Sequence, residues 1–125
     1  TFDVEGKKGI YLGGVIAPGV NLSINALHTA AARLPRIAIT KQDKVIGRNT
    51  VTAMSSGIYW GYAGLITNIL DKVEKELNYK MLIIATGGLS ELFVDEISKD
   101  IIINKDLTIK GLFMAYEEGK KNEFK

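Results

Sequence analysis

Residues Gly47–Leu77, GRNTVTAMSSGIYWGYAGLITNILDKVEKEL, constrain the fold of this chain more than any other stretch. No proline interrupts them, and Val51, Met54, Ile58, Tyr62, Leu65, Ile69, Val73 and Leu77 recur in steps of three or four. That spacing puts them on one stripe of an amphipathic helix. Asn49 or Thr50 can cap its start, because a side-chain oxygen there accepts an early backbone N–H that has no helical partner. Charge gathers only near the end, at Asp71, Lys72, Glu74, Lys75 and Glu76, so the first half is expected to be buried and the second partly solvated. At about 1.5 Å per residue the rod is roughly 40 Å long, more than a small core needs, which suggests a partner. Gly57, Gly61 and Gly64 lie inside the pattern, each costing about 1 kcal/mol relative to alanine. They read either as a face that another backbone approaches closely or as a kink between two shorter helices.

The remaining segments fall into an α/β order. Residues 1–5 and Ile10–Ala17 read as two strands of a hairpin joined by a Gly6–Gly9 turn. The second strand is almost wholly apolar, so cover is expected on both faces. Gly13 and Gly14 within it suggest a bulge or a close approach of backbone or ligand. A helix follows over 20–34, with Leu22, Ala26, Leu27, Ala30, Ala31 and Leu34 toward the core, then a loop from Pro35 to Ile46 with a short extended piece at Ile37–Ile39. Beyond the long helix come a strand at Met81–Ala85 and a helix at Leu89–Ser98 that buries Leu89, Leu92, Phe93 and Ile97. A strand at Ile101–Ile103 leads to a last helix from Asp106 to Glu118, with Ile109, Leu112, Phe113 and Tyr116 on one face and Gly119 past its end. Helices covering a sheet are the expected architecture.

Composition narrows the function classes. The chain has 125 residues, 46% of them hydrophobic, and can bury roughly 65% of its unfolded surface. It has no cysteine, which removes disulfides and thiolate chemistry; a reducing cytosol is compatible. A net charge of +2 from 16 basic and 14 acidic residues is too balanced for nucleic-acid or membrane binding as the main role. No apolar run is long enough to span a bilayer. Thr1 has no methionine before it, and Phe2 and Val4 alternate with Asp3 and Glu5 as if the chain were already inside a strand. The expectation is a fragment whose first strand is missing.

Chemistry has three candidate locations. Gly87 and Gly88, in IIATGGLS, follow a strand, where ligands of α/β sheets settle, and the next helix offers a positive N-terminal end; an ordinary tight turn is the competing reading. At GRNT, Thr50 and free N–H groups could meet an anionic or hydroxylated ligand, against plain capping. GGVIAPG, residues 13–19, could line a pocket floor. His28, the lone histidine, reads as a partly buried packing residue. Asp3, Asp43, Asp71, Asp95, Asp100 and Asp106 show no metal-ligand or acid–base pairing, and no GxxxxGK phosphate loop or nucleophile–base set occurs.

TFDV at 1–4, YLGGVIAPG at 11–19, ALHTAAARLPR at 26–36, IGRNTVTAMSSGIYWGYAGL at 46–65 and IATGGLSELF at 84–93 together resemble the C-terminal half of type III pantothenate kinases. The resemblance spans nearly the whole chain. It implies a ribonuclease H-like, actin-like ATPase domain, a mixed sheet flanked by helices, with residues 1–125 as the second of two related domains. It further implies phosphorylation of pantothenate to 4′-phosphopantothenate, the first step of coenzyme A synthesis. ATP with a divalent cation would be the donor, aided by potassium or ammonium, in a cytoplasmic homodimer. Thr50 would contact pantothenate, and Gly87 and Gly88 would belong to the adenosine site. An aspartate-glycine-threonine segment that holds the monovalent cation is expected upstream of Thr1, as are the phosphate loop and the Gly-x-Asp-Arg base. The fragment alone is therefore expected to be inactive. Two other readings stay open: a non-catalytic regulatory or dimerisation module, like the family's accessory factors for toxin-gene transcription, and a superfamily kinase for a sugar or an acid.

Overall fold

The computed structural model describes residues 1–30 and 34–123. Strand β1 (Phe2–Glu5) leads through a 3-10 turn at Lys7–Gly9 to β2 (Tyr11–Val15), followed by α1 (Val20–Ala30) and α2 (Thr50–Leu77). Strand β3 (Ile83–Ala85), the short α3 (Ser90–Phe93) with a 3-10 turn at Val94–Glu96, β4 (Ile101–Ile103) and α4 (Leu107–Glu123) complete the chain. The expected order of elements is observed. The expected single mixed sheet is not: among the described residues β1 pairs only with β2, antiparallel, and β3 only with β4, parallel, giving two small sheets. In the hairpin the register shifts between Val4 and Glu5, so that Glu5 faces Tyr11 and Leu12 is the extra residue of a bulge. Gly14 is needed because a Cβ there would run into the Phe2 carbonyl across the pair.

Helix α2 is the frame. It is one unbroken helix of 28 residues, which removes the kinked reading of its glycines. Asn78, in the left-handed conformation (φ 58°), ends it. Its buried side is centred on Met54, Ile58, Tyr59 and Ala63, so the face turns slightly from the stripe expected, and Val51 is exposed. Val20 and Ile24 of α1, Phe93 of α3 and Ile97 pack on it, with Ile37, Ile39, Trp60, Tyr62, Ile66, Leu70, Leu92 and Ile101 around them. Tyr59 sits at the centre, 0% exposed, its ring stacked on Phe93 at 5.7 Å and edge-on to Trp60 at 5.1 Å. Farther along, Lys99 Nζ bonds Asp71 Oδ1 and Glu74 Oε2, each at 2.7 Å, and the other Glu74 oxygen accepts the Met81 N–H at 3.1 Å. Those bonds fasten the last turns of α2 to the entrances of β3 and β4.

Other expectations are corrected. Helix α1 presents Val20 and Ile24 to α2, an i, i+4 pair, while Leu22 is exposed and Leu27, partly exposed, borders an open groove beside α2. Ala31, also assigned to that face, lies outside the described residues. The piece at Ile37–Ile39 packs on the core without forming a strand. The helix expected over Leu89–Ser98 is four residues of α3 and a 3-10 turn, and Leu89 is exposed. Helix α4 runs through Gly119 to Glu123, because one glycine without a left-handed turn costs too little to stop a helix. Its expected core face, Ile109, Leu112, Phe113 and Tyr116, is more than half exposed, and Tyr11 and Leu12 of β2 lack the cover expected for both faces. Among the described residues no helix is long and apolar enough to cross a membrane.

Candidate functional site

Local hydrogen bonding decides what Thr50 is free to do. Asn49 is the N-cap of α2, its side chain accepting the Thr52 N–H at 2.9 Å. In return the Thr52 hydroxyl oxygen accepts the Arg48 and Asn49 N–H groups at 3.0 and 3.1 Å, a capping box closed by threonine. Thr50 is therefore the first helical residue and not the cap, and among the described residues its hydroxyl has no hydrogen-bond partner. The box uses the Asn49 and Thr52 N–H groups, which leaves those of Thr50 and Val51 beside the Thr50 hydroxyl as candidate ligand groups. The approaching loop folds back across the helix: the Ser56 hydroxyl donates to the Val45 carbonyl, and a Cβ on Gly47 would strike the backbone of Thr52 and Ala53. Glycine is required at 47 for that close approach.

Thr50 lines an open groove of about 580 Å³ together with Leu27, Leu34, Ala53, Met54, Gly57 and Ile58. Methionine's sulfur aside, Thr50 is the one polar side chain among the described residues of that lining. An apolar trough with a single hydroxyl suits a small molecule that has an aliphatic body and a hydroxyl or amide group. None of residues 13–19 lines the groove. That segment is tied instead to α2 one turn further on, where Tyr62 OH donates to the Pro18 carbonyl at 2.8 Å and accepts from Ser23 Oγ at 2.6 Å. His28 Nδ1–H donates to the Leu34 carbonyl at 2.6 Å and is half-buried, the packing role expected of it.

Gly87 and Gly88 leave the C-terminal end of β3. Gly87 has φ +99°, and a Cβ on either glycine would meet nothing within 4 Å. The Ser90 hydroxyl closes the turn on the Gly87 carbonyl at 2.8 Å. The backbone of both glycines is exposed and unobstructed where a Cβ would stand. The helix expected to present a positive end is only four residues long, so its dipole adds little. Gly87 and Gly88 do not line the Thr50 groove; the structure does not merge the two candidate locations into one pocket. Among the described residues, no three His, Asp or Glu side chains gather as a metal site.

A polar cluster that the sequence did not announce ties α2 and the loop before it to the segment that follows α3. Tyr59 OH donates to Glu96 Oε1 at 2.9 Å, and Lys41 Nζ reaches Asp95 Oδ2 at 2.8 Å and Glu96 Oε1 at 3.8 Å. Burial, reinforced by the bond to Glu96, raises the Tyr59 phenol above its ordinary 10.0, so it remains a proton donor through the neutral range. The hydrogen bond to Asp95 raises the Lys41 ammonium above 10.5, with Coulombic attraction from Glu96 adding to it. Tyr59 falls outside the stripe that spacing defines, and Glu96 is one of many scattered acids, so no linear motif marked the pair.

Comparison with known proteins identifies close relatives. A family model described as Type III pantothenate kinase matches residues 1–72. The chain is 48% identical over 123 residues to a protein named Type III pantothenate kinase from Roseobacter denitrificans, covering 98% of this chain and 48% of that one. It is 51% identical over 112 residues to a protein of the same name from Paramagnetospirillum magneticum, covering 90% of this chain and 43% of the relative. The match to the namesake in Zymomonas mobilis is 48% over 126 residues, or 99% and 46% of the two chains. The chain thus spans a little under half the length of these relatives.

Proposed function

The chain belongs to the type III pantothenate kinase family, and on that footing we propose that it forms the C-terminal half of an enzyme that phosphorylates pantothenate with ATP. The hydroxyl oxygen of pantothenate bonds to the γ-phosphorus, the bond to ADP breaks, and a base takes the proton, giving 4′-phosphopantothenate for coenzyme A synthesis. In this reading residues 1–125 are the second ribonuclease H-like, actin-like domain. Thr50 bonds pantothenate, and the Gly87–Gly88 turn receives the adenosine of ATP. No Gly-x-Asp-Arg segment occurs in the sequence, so the base is assigned to the rest of the enzyme, with the phosphate loop and the ligand of a potassium or ammonium ion. ATP would bring a divalent cation. We assign the enzyme to the cytoplasm as a homodimer that uses the small-residue face of α2.

The uncommitted Thr50 hydroxyl in an otherwise apolar groove is the observation that best supports this reading. Pantothenate carries both the aliphatic body and the polar groups such a groove can take. The test is ATP-dependent phosphorylation of pantothenate by the intact protein carrying this chain. Thr50→Ala should raise KM for pantothenate about tenfold, the worth of one hydrogen bond at the upper end of the usual range, and leave KM for ATP nearly unchanged. Equal changes in both constants, or an intact protein that ignores pantothenate, would refute the proposal.

A further inference from the structure

We propose that Tyr59, through its hydrogen bond to Glu96, is a positioning residue that holds the Gly87–Gly88 turn in register with Thr50; this rests on the kinase reading above. Three segments meet at the bond. Tyr59 stands nine residues after Thr50 on the same unbroken helix, about 14 Å along its axis. Phe93, five residues after Gly88, stacks on the Tyr59 ring at an interplanar angle of 27°, and Glu96 closes the following 3-10 turn. Lys41 comes from the loop that delivers the chain to Thr50, and it grips Asp95 and Glu96.

The need for a hydroxyl is physical. Burying an aromatic ring at this point would be served equally by phenylalanine, and a hydroxyl at a fully buried position must find a partner to offset its lost hydration. Stacked rings slide and rotate in their plane at small cost. Helix α3, a single turn, is too short to keep its own orientation. A directional bond of 2.9 Å from the rigid α2 removes that freedom, and the Lys41 ammonium, 3.8 Å from the same carboxylate oxygen and 2.8 Å from Asp95 Oδ2, adds Coulombic attraction. Transfer of a phosphoryl group depends on holding donor and acceptor in one geometry, which gives such a tether a catalytic consequence although it touches neither ligand.

The test uses the intact protein and two readouts, direct titration of ATP binding and the KM for pantothenate. Tyr59→Phe should weaken ATP binding about fivefold and change the pantothenate KM by less than about twofold. Glu96→Ala should reproduce that loss and Glu96→Gln, which keeps an acceptor oxygen, should restore most of the affinity. The Tyr59→Phe, Glu96→Ala double variant should be no worse than either single change. Unchanged ATP affinity in Tyr59→Phe overturns the proposal, as does equal weakening toward both ligands, the sign of general loosening. If the unaltered protein binds ATP but leaves pantothenate untouched, the kinase reading falls alone and the ATP titration still decides the role of Tyr59. If it does not bind ATP, both fall.

Discussion

Replacing Gly57, Gly61 and Gly64 together by alanine separates the stability of α2 from the use of its outer face. All three are exposed, and among the described residues a Cβ on any of them meets nothing within 4 Å, although Gly57 also borders the Thr50 groove. The only local effect is then helix propensity, about 1 kcal/mol per site, and independent sites on one helix add to roughly 2–3 kcal/mol of extra stability. If a second copy lays its backbone against this face, the new methyl groups hold the two helices apart, and the same substitutions weaken association. Urea denaturation at concentrations that keep the protein monomeric should show the full gain. Sedimentation equilibrium should show the dimer dissociating at least about tenfold more readily, a cost comparable with overpacking. A triple variant that is less stable as a monomer refutes the open face. A variant that gains stability and dimerises normally refutes the packing role of the glycines.

Two further outcomes follow from the ends of α2. Asn49→Ala removes the acceptor of the Thr52 N–H and should lower the unfolding free energy by about 1 kcal/mol, measured by chemical denaturation, with Asn49→Asp close to the unaltered protein. The bond from Lys99, then that from the Met81 N–H, holds the Glu74 carboxyl below its ordinary 4.5. Its contribution to stability is therefore complete above pH 4.5 and is lost as pH falls through the lowered folded-state value. Thermal midpoints recorded downward from about pH 6 should fall more steeply for the unaltered protein than for Glu74→Gln; parallel curves would contradict the assignment.

Periodicity made α2 legible because its signal extends over many turns and needs no knowledge of its neighbours. The element order was legible for the same reason, each segment carrying its own punctuation at Pro18-Gly19, Gly87-Gly88 or Asp106. Burial of the short elements was not. Ile109, Leu112, Phe113 and Tyr116 share a face, but spacing alone does not say what that face meets, and among the described residues it is open. The choice between Asn49 and Thr50 as cap was left open by composition. It was decided by Thr52, whose hydroxyl completes the box and so frees Thr50. The Tyr59–Glu96 pair was invisible because its partners, far apart in sequence, meet only through tertiary packing.

The seat of Tyr59 has a consequence during synthesis. Its ring on α2 is covered by Phe93, which leaves the ribosome 34 residues later. At roughly 5–20 residues per second that interval is about 2–7 s, far longer than a helix takes to form. During that time the rod is completed, as Leu77 follows Tyr59 by 18 residues, and its aromatic flank stays without Phe93 to cover it. Ribosome-associated chaperones that bind apolar segments would find it there, and the emergence of Phe93 from the ribosome sets the moment at which that window closes.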